Sequence, residues 1–327
     1  MGAARGRSAT TVAAVSAANA PERGAPGSAR TPAAGRWKSL ARILVASYGG
    51  LTLVLAITQR SHIYYPRRTP AEAAEREARA LRLQPWRDAD GAVIGWFRRA
   101  SEPEARRVLV VHGNAGSATD RHHYADVFSA RLGGEDWSVF ILEYPGYGAR
   151  PGRPSEHALT AAALAALDAL LAESPSPVLL LGESLGSGVA CALAAERPTQ
   201  TAGLLLITPF PSLADVAAVH YPFLPVRLFL RDRYDAAAAL RRFSGPLAVV
   251  TAGADEVVPA RLGRSLWQQY DGPKRLFEQA GRTHNTLDLD PGASWWNEAV
   301  RFLIAPTAGA DSTPGAAPGA RPTEEDR

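Results

Sequence analysis

Cysteine is almost missing from this 327-residue chain. Cys191 stands alone, which excludes an intramolecular disulfide and any cysteine-built zinc cluster. Lysine is reduced to Lys38 and Lys274 among 36 basic residues, so the positive charge is nearly all arginine. We read that bias as the mark of a GC-rich genome. The net charge of +4 is also unevenly placed. Residues 1–42 carry seven basic side chains against Glu22 alone, and residues 306–327 carry four acids against two arginines. The stretch between them is neutral as a whole, and so lacks the electrostatic footprint that nucleic-acid binding requires. A hydrophobic share of 46% with 21% charged residues excludes a wholly disordered chain.

The ends differ from the middle. Residues 1–42 form an expected disordered basic leader, rich in Ala, Gly, Arg, Ser, Thr and Pro up to residue 36. An uncharged run follows from Ile43 to Gln59. As a helix it spans about 25 Å against a hydrocarbon core of about 30 Å. Leu40 and Ala41 extend it if Arg42 snorkels to the interface, with Trp37 and Tyr64–Tyr65 placed near the two water boundaries. Residues 43–59 are therefore expected to be a single transmembrane anchor. The basic flank lies wholly before it, which places the N-terminus in the cytoplasm and the body on the outer side. Ala18-Asn19-Ala20 resembles a signal cleavage site, but the stretch before it is weakly apolar. Residues 306–327 read as a disordered tail.

Between residues 60 and 305 short apolar runs alternate with helical spacing. Strands are expected at Ala92–Phe97, Arg107–His112, Trp137–Glu143, Val178–Leu181, Gly203–Ile207, Leu247–Thr251 and Arg275–Glu278. Helices are expected at His122–Leu132, Ser155–Leu171, Leu185–Ala195, Arg261–Tyr270 and Ser294–Leu303. Alternation of this kind predicts an α/β domain with a mostly parallel sheet and helices on both faces.

Gly182-Glu183-Ser184-Leu185-Gly186 carries the strongest chemical signal, because it closes an apolar strand and opens a helix. A serine on such a turn presents its hydroxyl above the sheet, and the helix N-terminus behind it favours developing negative charge. Ser184 is the expected nucleophile. It needs a base and the base needs an orienting acid, both later in the chain. His284, in a loop after one strand, and Asp255, in a loop after another, satisfy order and place; Glu256 and Asp288 are the rival acids. The backbone N–H groups of Leu185 and Asn114 are the expected oxyanion donors. His112 precedes the serine and reads as packing for the Asn114 loop. That loop is no phosphate cradle, since no Lys-Ser/Thr follows Gly116. His122-His123 with Asp120 and Asp126 read as a solvated helix start, because adjacent residues on a helix face different ways. Tyr144–Gly148 is expected to shape the mouth of the site. Neither a metal nor a cofactor is expected.

These motifs have a family resemblance. HGNAG (His112–Gly116), EYPGYG (Glu143–Gly148), GESLGSG (Gly182–Gly188), ADEVVP (Ala254–Pro259) and THN (Thr283–Asn285) together resemble the α/β-hydrolase superfamily of serine hydrolases. The apolar segment followed by His62-Ile63-Tyr64-Tyr65-Pro66 is similar to the single-pass membrane-anchored branch with depalmitoylase-like and lysophospholipase-like members and their bacterial relatives. The resemblance covers roughly residues 43–304. It implies an α/β-hydrolase fold, a triad of Ser184, Asp255 and His284, and a short cap over about residues 209–243. It also implies hydrolysis of carboxylic esters or thioesters, with the aromatic and apolar cap suiting an acyl chain. Two other readings stand beside it: a serine aminopeptidase-like peptidase, and a non-catalytic binding protein on the same fold.

Overall fold

The structure, a computed structural model, describes residues 33–102 and 105–305; most of the expected leader and the expected tail 306–327 lie outside the described residues. The chain divides between Leu51 and Thr52 into two units. Helix α1 (Ala33–Ile63) gives residues 33–51 to the first and 52–63 to the second. In the first unit Ile43, Leu44, Val45 and Leu51 are exposed. Within α1, Trp37–Ile63 is long and apolar enough to cross a membrane, by length and composition.

The second unit is built on one eight-stranded sheet. Strand β1 (Tyr65–Pro66) and helix α2 (Ala71–Ala80) precede an antiparallel pair, β2 (Gln84–Arg87) and β3 (Val93–Arg98). Next come β4 (Arg106–Val111), β5 (Ala115–Gly116), α3 (His123–Phe128) and β6 (Trp137–Leu142). Helix α4 (Glu156–Glu173) starts at Ser155, whose hydroxyl accepts from the Ala158 N–H and so satisfies one orphan donor of the first turn. Then follow β7 (Val178–Glu183), α5 (Leu185–Glu196) and β8 (Thr201–Ile207). Three short helices, α6 (Leu213–His220), α7 (Val226–Phe229) and α8 (Ala236–Leu240), occupy the expected cap segment. The domain closes with β9 (Leu247–Ala252), α9 (Ala260–Gln269), β10 (Lys274–Gln279) and α10 (Ser294–Ile304).

The order across the sheet is β10-β9-β8-β7-β4-β6-β3-β2. From β10 to β6 every neighbouring pair is parallel, and β1 pairs with β5 in a separate two-stranded sheet. Side chains alternate between two cores, as a period of two requires. Leu109, Val111 and Leu180 join α4 and α5 on one face, whereas Val108, Val110, Leu179 and Leu181 join Tyr124, Trp296 and Val300 on the other. This is the α/β-hydrolase fold.

Several elements differ from the sequence-level expectation, which also lacks β1, α2 and β5. The helix expected over 122–132 ends at Phe128, where Arg131 and Gly133 take left-handed conformations (φ 55° and 73°). Strand β2 has no counterpart in the expected list; it contains Pro85, and as the outermost strand it bonds to β3 on one side only, where proline is tolerated. And α1 does not stop at the expected anchor boundary, Gln59. Its last turns are tied to the end of α7 and the segment after it: Gln59 Nε2 donates to the Phe229 carbonyl (3.2 Å), Gln59 Oε1 accepts from the Arg231 N–H (2.7 Å), and Arg60 meets Asp232 through two hydrogen bonds (2.9 and 3.0 Å).

Candidate active site

Ser184 sits between β7 and α5 with φ 51° and ψ −118°, a backbone that L residues rarely adopt. The turn is held from both sides. The Ser184 N–H donates to the Ile207 carbonyl (2.8 Å), and its carbonyl accepts from the Ser187 N–H (2.9 Å) and hydroxyl (2.6 Å). Gly186 is required by space: a Cβ there would lie 2.1 Å from the Val111 carbonyl oxygen. Helix α5 can therefore begin directly against β4, which brings the Leu185 N–H, one of the first-turn donors with no acceptor in its own helix, next to the loop after β4.

Asp255 follows β9 and His284 follows β10, so both loops leave the same end of the sheet as Ser184. His284 Nδ1 lies 2.7 Å from Asp255 Oδ2. The other carboxylate oxygen, Oδ1, accepts from the N–H groups of Val257 (2.8 Å) and Val258 (2.7 Å), and the Asp255 side chain is fully buried. Such a carboxylate has a fixed orientation, and an Nδ1–H donated to it leaves Nε2 as the free lone pair. Ser184, His284 and Asn114 line one cavity of about 250 Å³ together with Arg121, Glu183 and Leu287. A hydroxyl and a fixed imidazole in one cavity, with Asn114 on its wall, form a group set suited to attack on an acyl carbonyl. The rivals sit elsewhere: Asp288 serves its own loop, accepting from the Asp290 N–H (3.3 Å), and Glu256 lines a different cavity.

The Asn114 loop is fastened from several directions. The Asn114 carbonyl accepts from the Tyr65 N–H (2.9 Å) and the Tyr147 hydroxyl (2.7 Å), and its side-chain Nδ2 donates to the Ile63 carbonyl at the end of α1 (2.7 Å). His112 packs on Tyr144 (centroids 4.3 Å) and its Nδ1 faces the Gly113 carbonyl (2.9 Å). Burial pushes its pKa down to about 3, so it is neutral and holds the loop by packing. The Tyr144 and Tyr147 rings are buried, and so brace the loop from beneath instead of lining the cavity.

Two groups escaped the sequence reading. Glu143 is buried behind this loop, where Oε1 accepts from the Ala118 N–H (3.0 Å). Gly148 (φ 51°) leaves room for it: a Cβ there would lie 2.1 Å from Glu143 Oε2. Its signal was present, since Glu143 opens the EYPGYG motif. The second is the ion pair of Glu183 with Arg121, two hydrogen bonds of 2.8 and 3.0 Å, joined by the Tyr124 hydroxyl at 2.9 Å. Burial pushes the Glu183 carboxyl up, but the Arg121 charge and these hydrogen bonds outweigh it and the net direction is down. The histidine pair is taken up locally. His123 packs on Tyr124 (4.2 Å), while Asp120 pairs with Arg67 and Asp126 with Arg98.

Glu143 makes a pH-dependent contribution to stability. Burial raises its pKa to about 7, so the folded state holds a proton that the unfolded chain releases near the ordinary carboxylate value. The folded state binds more protons between those two values, and stability therefore falls as pH rises through them, by about 3 kcal/mol in total. Glu143→Gln keeps an acceptor for Ala118 and does not titrate. Thermal unfolding at about pH 5 and about pH 8 should show the wild-type midpoint dropping more than that of the variant. Equal pH dependence in both proteins would refute the assignment.

The profile of the alpha/beta hydrolase family matches residues 108–324. The chain belongs to the alpha/beta hydrolase family. It is a hydrolase on that ground. An uncharacterised protein of Mycobacterium tuberculosis is 39% identical over 80% of this chain and 92% of its own length. The lysophosphatidylserine lipase of Xenopus tropicalis is 31% identical over 56% of this chain and 51% of its own length, so the hydrolase spans about half of that relative. Among solved structures, Est1E of Butyrivibrio proteoclasticus shares the fold, with a TM-score of 0.54 at 17% identity over 68% of this chain and 99% of that one.

Proposed function

We propose that this hydrolase is a membrane-anchored serine enzyme that cleaves carboxylic esters or thioesters bearing apolar acyl groups. The observation that carries the reading is the 2.7 Å contact between His284 Nδ1 and the buried Asp255 carboxylate, in a cavity that also holds Ser184 on its strained turn. In this scheme Ser184 Oγ attacks the acyl carbon while His284 Nε2 takes its proton. The N–H groups of Leu185 and Asn114 receive the negative charge on the former carbonyl oxygen. Collapse expels the alcohol or thiol, which leaves with the proton from His284, and an acyl-enzyme remains. Water then repeats the sequence, with His284 again as base and then acid, and releases the carboxylic acid. Asp255 holds His284 in the tautomer that exposes Nε2. The lipase relatives support an ester of a lipid-like acyl group as substrate.

The anchor is α1. The candidate span Trp37–Ile63 has 27 residues, about 40 Å of helix, ample for a hydrocarbon core of about 30 Å. It contains the expected segment 43–59. The basic surplus before it supports a cytoplasmic N-terminus, with the domain from α1's last turns to residue 305 on the outer side. The test uses the full-length protein. Carbonate-washed membranes should retain it, and the washed membranes should turn over p-nitrophenyl esters while leaving aminoacyl-anilides intact. Release by carbonate would overturn the span, and preferential cleavage of the anilides would make the enzyme a peptidase.

A further inference from the structure

Beside the serine cavity lies a larger one of about 530 Å³. One wall is the last part of α1. The residues that line it are Thr52, Leu55, Ala56, Gln59, His62 and Ile63, the spacing of a single helical face. The opposite wall comes from the cap, with Val216 and Ala217 of α6 and Phe229 of α7. At one end stand Glu256 and Val257, directly after Asp255, and Asn114. Asn114 lines the serine cavity as well, so the two cavities adjoin at the residue whose N–H is the proposed oxyanion donor.

The walls hold their spacing. Gln59 is bonded to both Phe229 and Arg231, and Arg60 and the Tyr64 hydroxyl (2.9 Å) share Asp232. Outside the groove the surface is apolar too. Leu53, Val54 and Ile57, on the other side of the same helix, are exposed, as is Leu228 on the cap at 77%. Apolar side chains left in the open on a helix long enough to span a bilayer are at home in lipid. A groove walled by that helix therefore opens where acyl chains are.

We infer that the groove between α1 and the cap holds the acyl chain of a long-chain lipid ester, received from the bilayer in which α1 is seated, with the ester carbonyl at Asn114 and Ser184. The inference rests on the serine-hydrolase reading above and adds the binding element: the anchor helix is itself part of the substrate site. Substrate choice then depends on α1 as well as on the domain.

A photoreactive probe tests it on the unaltered full-length protein in phosphatidylcholine vesicles. A long-chain alkyl fluorophosphonate with a diazirine at its far end should label Ser184 and, on irradiation, cross-link to the peptide containing residues 52–63 or to α6–α7. Absence of label on Ser184 would sink the serine-hydrolase reading. Label on Ser184 with cross-links confined to other segments would sink the groove alone. Ala56→Trp and Ala217→Trp, which fill the groove from opposite walls, supply a kinetic readout, with rates divided by the labelled fraction of enzyme. Each should lower kcat/KM for p-nitrophenyl palmitate roughly tenfold further than for p-nitrophenyl acetate. Leu53→Trp, on the outer face, should leave that ratio where it is in the wild type. An equal loss for both esters in the two groove variants, or an unmoved ratio, would overturn the proposal.

Discussion

Ser184→Ala should lose all labelling by a fluorophosphonate probe and on the order of 10⁶-fold in kcat, while its thermal midpoint stays near that of the wild type. The large loss follows from the proposed chemistry, since the atom removed is the one that bonds to the acyl carbon. The small structural effect follows from how the turn is built. Its hydrogen bonds run through the Ser184 backbone, to the Ile207 carbonyl and from the Ser187 N–H and hydroxyl, and alanine keeps all of them. The positive φ of 51° strains alanine about as much as serine. A residual rate above that in water is expected, because the Leu185 and Asn114 N–H groups are untouched. A folded Ser184→Ala protein that still takes the probe would move the nucleophile elsewhere.

His284→Ala and Asp255→Asn should form a graded, non-additive pair. His284→Ala removes the proton acceptor and should cost on the order of 10⁴-fold or more in kcat. Asp255→Asn should cost somewhat less, through a different route. Asparagine can still accept from the Val257 and Val258 N–H groups with Oδ1, which turns its amide NH2 toward His284 Nδ1. A donor there makes Nδ1 the acceptor and puts the proton on Nε2, the wrong tautomer for taking a proton from serine. Because both changes disable one proton path, the double variant should be little worse than His284→Ala alone. Turnover near wild type in Asp255→Asn would direct attention to Glu256 or Asp288, and additive losses would mean that the two residues act separately.

The site was more legible than its surroundings, for a physical reason. Ser184 lies in a motif whose glycines answer to local sterics, so Gly186 announces the close approach of α5 to Val111 without any knowledge of the rest of the fold. Asp255 and His284, which the fold brings to 2.7 Å of each other, stand out in the sequence by order and by position after apolar strands, which is a property of parallel sheets. Glu143 was visible as a letter in a motif, but its burial, and hence its raised pKa, comes from packing that also brings in residues distant in sequence, such as Ala118. The Arg121–Glu183 pair joins residues 62 apart in sequence, and no local pattern marks it.

By itself the sequence determined the alternating α/β architecture, the two-sided apolar strands, the strained serine turn and the order of its partners, and an apolar segment with a basic flank. All of these are local: periodicity, turn chemistry and charge along a short stretch. Only the tertiary structure decided how far α1 belongs to the domain. The sequence breaks at Gln59, where hydropathy falls and the first charge, Arg60, appears. The folded chain uses those same residues to clasp Phe229, Arg231 and Asp232, some 170 positions away, and sets Asn114 against Ile63. Hydropathy records what a residue would do alone in water or lipid. Where a glutamine and an arginine find partners in the cap, their polarity marks a joint between helix and domain, and that joint exists only once the sheet has brought both sides together.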